Sequence, residues 1–157
     1  MRSLGIPQEL LDAYGPAEIF SDVKSKHWAA TFIAYGNALK YVTGYPDGTF
    51  KPNGVLTRAE GVTILARYAG LSEEANVTSA PFPDLKPDFW ANKYIAPAKA
   101  TGLLKYLDGK EFNPSADFTR AEACEVLYRV PSIQKKVNEF WETGMVTEQP
   151  PATSEAR

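Results

Sequence analysis

Residues 20–71, FSDVKSKHWAATFIAYGNALKYVTGYPDGTFKPNGVLTRAEGVTILARYAGL, are answered from residue 82 onward by FPDLKPDFWANKYIAPAKATGLLKYLDGKEFNPSADFTRAEACEVLYRV. With the second stretch laid 62 residues after the first, Phe20, Asp22, Trp28, Ala29, Ile33 and Ala34 fall on Phe82, Asp84, Trp90, Ala91, Ile95 and Ala96. The same register carries Phe50, Pro52, the run Thr57–Glu60, Leu65 and Arg67 onto Phe112, Pro114, Thr119–Glu122, Leu127 and Arg129. Agreement held without a shift across the whole unit is the signature of a tandem repeat. Units of this size cannot each bury a core alone, so they are expected to pack around a shared centre.

Each unit reads as helix, loop, helix. Trp28, Phe32, Tyr35, Leu39 and Val42 recur at three- and four-residue steps, which predicts an amphipathic helix ending near Gly44 with these residues on its inner face. The second helix is expected from Thr57, with Val62, Leu65, Ala66 and Ala69 on one side and Gly70 as its stop; it is the expected cover for the first. The second copy repeats the plan with Trp90, Tyr94 and Ile95, then Cys124, Leu127 and Tyr128. Pro97 predicts a kink or a late start there, because proline removes a helical hydrogen bond. Pro46-Asp47-Gly48 is a turn sequence, followed by a short extended piece at Thr49 and Phe50. The expected division is a helical segment over 1–19, repeats over 20–71 and 82–130, a linker over 72–81, and a helix with a flexible tail over 131–157. The fold class is mainly α, built from tandem helix-loop-helix units around a shared helical core with short extended segments in the loops.

Composition narrows the function. The 157 residues are 44% hydrophobic and 12% aromatic, enough for one compact core. A net charge of −2 gives no global basic surface, which argues against nucleic acid as a partner. No stretch approaches the roughly 18 to 20 apolar residues of a membrane span, nor the apolar core of a signal peptide. A single cysteine, Cys124, excludes an internal disulfide framework and reads as a core residue on a helix face. His27, the only histidine, lacks the clustered ligands of a metal site or the partners of a general base. The DGTFKPN loop lacks the oxygen ligands and terminal glutamate of a calcium loop. No cofactor and no catalytic residue are expected.

Thr57 with Glu60, and Thr119 with Glu122, have the spacing of a capping box. The arginine between them faces the positive end of the helix dipole, which helix stability alone would not select. Arg58 and Arg120 are therefore expected to meet an acidic partner, either a carboxylate of the protein or an anionic ligand at the helix start. Trp28 and Trp90 open their helices and read either as core or as half-exposed platforms for a sugar ring. Asp22 and Asp84 are either loop caps or acceptors for sugar hydroxyls. Tyr45 and Lys51 flank the turn in the first copy, Tyr45 to pack or hydrogen-bond and Lys51 as a solvated charge or a ligand contact.

The pattern F-x-D, W-A, G-Y-P-D-G-T-F-x-P-N and L-T-R-A-E resembles the S-layer homology family over roughly two thirds of the chain. The second copy keeps both ends and has LDGKEFNPSA in place of the turn sequence. The resemblance implies a cell-wall anchoring module at the bacterial surface that binds an acidic, pyruvate-bearing secondary wall polysaccharide non-covalently between repeats. It implies ligand contacts at Asp22, Trp28, Tyr45, Lys51, Arg58, Asp84, Trp90 and Arg120, with an arginine on the carboxylate and a tryptophan on the ring. The alternative is a protein-interaction or self-assembly module of a surface layer with other protomers as partners and no glycan. A clear third repeat is missing, and either the terminal helices or another protomer is expected to take its place.

Overall fold

The computed structural model describes residues 9, 12, 13, 15, 17–71 and 79–143. Its order is α1 (Ala30–Ala38), α2 (Arg58–Tyr68), α3 (Asn92–Ala100), a 3₁₀ turn (Lys105–Leu107), α4 (Arg120–Tyr128) and α5 (Pro131–Glu142). The described residues contain no strand; the expected extended pieces reduce to one isolated antiparallel bridge between Thr57 and Asp117. The helical segment expected over 1–19 lies mostly outside the described residues, as do most of the linker over 72–81 and the tail.

The repeat is visible in three dimensions. The Asp22 carboxylate accepts the Phe50 and Lys51 backbone N–H groups at 2.8 and 2.7 Å, and Asp84 accepts those of Phe112 and Asn113 at 2.9 and 2.7 Å. Each aspartate thereby holds a loop residue in the left-handed region, Lys51 at φ 57° and Asn113 at φ 51°. Above each clamp two rings meet, Phe20 with Phe50 at 5.2 Å and Phe82 with Phe112 at 5.3 Å. Both capping boxes form as the spacing predicts, with Thr57 and Thr119 accepting the Glu60 and Glu122 amides and the glutamates reaching back.

The first helix corrects the sequence reading. Ala29, Ala30, Ile33 and Ala34 are the buried residues, while Trp28 is 72% exposed, Leu39 38%, and Phe32, Tyr35 and Val42 are half-buried; the predicted stripe is not the buried face. Small side chains and Ile33 face inward, against the loop residues Phe20, Val23 and Phe50. The helix also stops early, at Ala38. Lys40 takes φ 60°, its N–H donates to the Asn37 carbonyl and the Tyr41 N–H to that of Gly36, a Schellman ending. The counterpart ending of α3 uses Gly102 at φ 80°. A lysine where the second copy has glycine hides the stop from sequence inspection. Lys40→Gly is expected to stabilise the protein by about 1 kcal/mol, read as a higher urea midpoint, because it relieves the left-handed strain and gives back part of that gain as unfolded-state entropy. Pro97 does not delay α3, which begins at Asn92, the counterpart of Ala30.

The second helix corrects the packing. It does not mainly cover α1; it leaves its own repeat and packs chiefly against α3. Ala59, Val62 and Ala66 join Tyr94, Ile95, Ala98, Leu104, Phe112 and Val126 in one buried cluster, whereas Phe20, Val23, Ala29, Ala30 and Ile33 form a smaller one. Gly61 admits this approach. A Cβ there would stand 2.2 Å from the Phe118 ring. Cys124 is exposed rather than buried, and so is Tyr128 at 44%: the face of α4 that corresponds to the buried face of α2 has no cover. On α5, Ile133 packs against the main cluster while Phe140 and Trp141 stay exposed.

Candidate binding groove between the repeats

A groove of about 730 Å³ lies where the first repeat's turn meets the second repeat. Its floor and walls come from the turn over 42–46, the loop over 50–56 and one face of α2; its far side is Trp90 of the second repeat. The turn forms as its residues demand. Gly48 N–H donates to the Tyr45 carbonyl at 3.0 Å, and Asp47 accepts the Thr49 N–H and hydroxyl at 3.0 and 2.6 Å. At Gly44, φ is 68° and a Cβ would stand 2.2 Å from the Phe20 ring, so the turn can sit on the ring only with glycine there.

Within the groove the Tyr45 hydroxyl donates to Glu60 Oε1 at 2.8 Å, and Lys51 Nζ lies 4.2 Å from the Tyr45 ring centre. Arg67 stands two turns after Glu60 on the same face of α2. Its Nη2 donates to the Tyr94 hydroxyl at 2.9 Å, and its guanidinium lies 4.7 Å from that ring. Burial pushes the Glu60 carboxyl up, but hydrogen bonds from the Thr57 amide and hydroxyl and from Tyr45 outweigh it, and the net shift is downward. Glu60 is thus held ionised, and its bond to Tyr45 raises the tyrosine's pKa. Trp90 is 51% exposed and faces these groups. The result is an open, largely apolar trough with an indole on one side, two cations and one carboxylate on the other.

Of the eight residues expected to contact a ligand, the groove brings together Tyr45, Lys51 and Trp90. Asp22 and Asp84 are occupied as loop clamps. Asp22 has its pKa lowered first by the Phe50 amide; for Asp84 burial raises it, and the Phe112 and Asn113 amides bring it down on balance. Trp28 lies outside the groove, its ring 5.8 Å from that of His27. The two arginines part company. Arg58 Nε donates to Glu122 Oε1 at 2.8 Å and Nη1 to the Phe112 carbonyl, with side chains only 14% and 13% exposed for the ion pair. Its acidic partner is thus a carboxylate of the next repeat. Around Glu122, burial acts upward, while the Thr119 amide and hydroxyl and Arg58 lower the pKa on balance. Arg120 is exposed and outside the groove. Arg67 was legible in principle: it recurs as Arg129, and its seven-residue offset from Glu60 places both on one helix face. The described residues hold no cluster of His, Cys, Asp and Glu fit for a metal ion, and no helix long and apolar enough to cross a membrane.

Comparison with known proteins follows the same two segments. The S-layer homology domain family matches residues 19–60 and 81–124, more than half of the chain. A cellulosome-anchoring protein of Acetivibrio thermocellus is 35% identical over 113 residues, covering 70% of this chain and 25% of its own length. The S-layer protein EA1 of Bacillus anthracis is 35% identical over 120 residues, 76% of this chain and 14% of its own. An uncharacterized cell wall amidase of Bacillus anthracis is 33% identical over 120 residues, 75% of this chain and 21% of its own. The chain spans a quarter or less of the length of these relatives. Two tandem matches, in the positions where the clamp, capping box and repeat register recur, make the chain a member of the S-layer homology domain family, with its place at the bacterial cell surface.

Proposed function

We propose that the chain is a non-catalytic anchoring module that holds an acidic, pyruvate-bearing secondary cell wall polysaccharide in the groove between its two repeats. The observation that carries this reading is the meeting of Trp90 from one repeat with Lys51 and Arg67 from the other around an open trough. An indole face covers the apolar side of a sugar ring, and its N–H reaches a hydroxyl. Lys51 and Arg67 supply the positive charge for a ketal carboxylate, Arg67 with a planar fork. Glu60, ionised and already fixed by Thr57 and Tyr45, accepts a sugar hydroxyl proton. Glycan hydrolysis asks for two facing carboxylates; the groove offers Glu60, which caps α2. That the matched segment is shared by relatives named for anchoring, for a surface layer and for an amidase supports a common attachment role.

The test is sedimentation of the purified chain with cell walls that are intact, stripped of pyruvate, or free of secondary polymer. Retention on intact walls alone is the expected result. Equal retention on all three would reject the groove as an acidic-glycan site.

A further inference from the structure

The interface between the two repeats has a defined pair of edges. The start of α2 presents Arg58, whose side chain reaches Glu122 and the Phe112 carbonyl, while its N–H donates to the Ala116 carbonyl at 2.8 Å and that of Ala59 to the Pro114 carbonyl at 3.1 Å. The buried side of α2 lies on α3, and the Phe118 ring sits on Gly61. In the opposite direction Trp90 reaches back into the first repeat's groove. Translating this interface by one repeat names what remains open on either side of the two repeats among the described residues. At the trailing end, Arg120 takes the place of Arg58; it is exposed and forms no ion pair or side-chain hydrogen bond among the described residues. Ala121, Cys124 and Tyr128 take the places of Ala59, Val62 and Ala66, exposed where those are at most 3% accessible. At the leading end, Phe50, Pro52, Gly54 and Glu60 take the places of the acceptors Phe112, Pro114, Ala116 and Glu122, with Val55 69% and Leu56 37% exposed beside them. Trp28, 72% exposed, takes the place of Trp90.

From these edges we infer that a second copy of this chain docks head to tail, its Arg120 edge on the Phe50–Glu60 edge of the first. Three properties commit the open edges to each other. Their charges are complementary, Arg120 against the carboxylate of Glu60, whose Oε1 holds the Tyr45 hydroxyl where Glu122 Oε1 holds Arg58. Their shapes compensate: inside the chain a large Phe118 meets Gly61, whereas at the open ends the smaller Leu56 meets the larger Ala123. The same operation also brings Trp28 of one copy to the second repeat of the other, which accounts for an indole left in solvent beside a core-lining helix. Because the two edges differ, the contact is heterologous, and its rotation decides between a closed ring and an open chain.

Sedimentation equilibrium in polymer-free buffer tests this on the whole chain, with circular dichroism to verify that each variant folds. The parent is expected to associate with rising concentration. Arg120→Glu and Val55→Arg, both at exposed positions, are each expected to weaken self-association by at least about tenfold, since each places a wrong charge at the contact. An equimolar mixture of the two variants is expected to restore a discrete dimer, because the first retains an intact acceptor edge and the second an intact donor edge. A parent that stays monomeric at every concentration overturns the inference and leaves the edges to a different occupant. Variants that associate like the parent, or a mixture that stays monomeric, overturn it as well. Phe50, Pro52, Gly54, Val55, Leu56 and Glu60 also line the groove, so a docked copy and a bound glycan exclude each other there. Because every readout above is taken without glycan, a failure of self-association still leaves the groove reading standing, and a failure of wall binding leaves this one standing.

Discussion

Arg58→Ala is expected to cost about 4 kcal/mol of folding stability, because it strands a mostly buried carboxylate whose partner has been removed, whereas Arg120→Ala is expected to fall within about 0.5 kcal/mol of the parent. The two arginines occupy the same place in the repeat and the same place in the helix. What separates them is the neighbour. Arg58 ties Glu122 and the Phe112 carbonyl to the start of α2, and Glu122 at the same time closes the capping box of α4. Its loss therefore loosens the contact between repeats and the start of the next helix together. Arg120 projects into solvent from an otherwise identical cap. Urea unfolding of both variants, followed by far-ultraviolet circular dichroism below the association range, reads the difference directly. Equal effects would mean that the cation acts through the helix start itself and not through the next repeat.

Trp90→Ala is expected to weaken binding to intact cell walls by about 30-fold, the equivalent of the roughly 2 kcal/mol that a central tryptophan anchor commonly supplies. Its folding cost should be small, since half of the side chain is already in water. Trp28→Ala is the matched control: the same residue in the same register position, outside the groove, expected to bind as the parent does. Arg67 offers a less clean probe. Its guanidinium is also held by Tyr94, and its removal would mix packing with binding. A Trp90 variant that keeps full retention, or a Trp28 variant that loses it, would move the glycan site away from the groove.

The repeat, the helix-loop-helix order, both capping boxes and the Pro46–Gly48 turn were legible because each rests on contacts between residues a few positions apart. What was not legible depends on residues from the other repeat. An arginine at a helix start correctly announces an acidic partner, but nothing local distinguishes Glu122 from a ligand, and the internal carboxylate is the one that Arg58 meets. Asp22 and Asp84 bond amides 28 and 29 residues away, a distance at which loop cap and sugar acceptor look alike in sequence. The inner face of α1 was misassigned because large aromatic side chains dominate a periodicity argument, while Ala29, Ala30 and Ala34 form the contact. Cys124 reads as core by its helix position and would be core if α4 were covered as α2 is. Arg67 is read in the sequence as a repeat position but not as a ligand contact, because a basic residue in a last helical turn already has a reason to be there.

The passage of α2 out of its own repeat decides how the chain comes apart. Ala59, Val62 and Ala66 have their cover in residues from Phe82 onward, in the second unit, so loosening that unit uncovers the first unit's most buried helix. Duplicate sequences therefore do not mean duplicate domains: heat or denaturant should meet one cooperative transition, and a single unit cut free would carry an apolar helix with nothing to hide it.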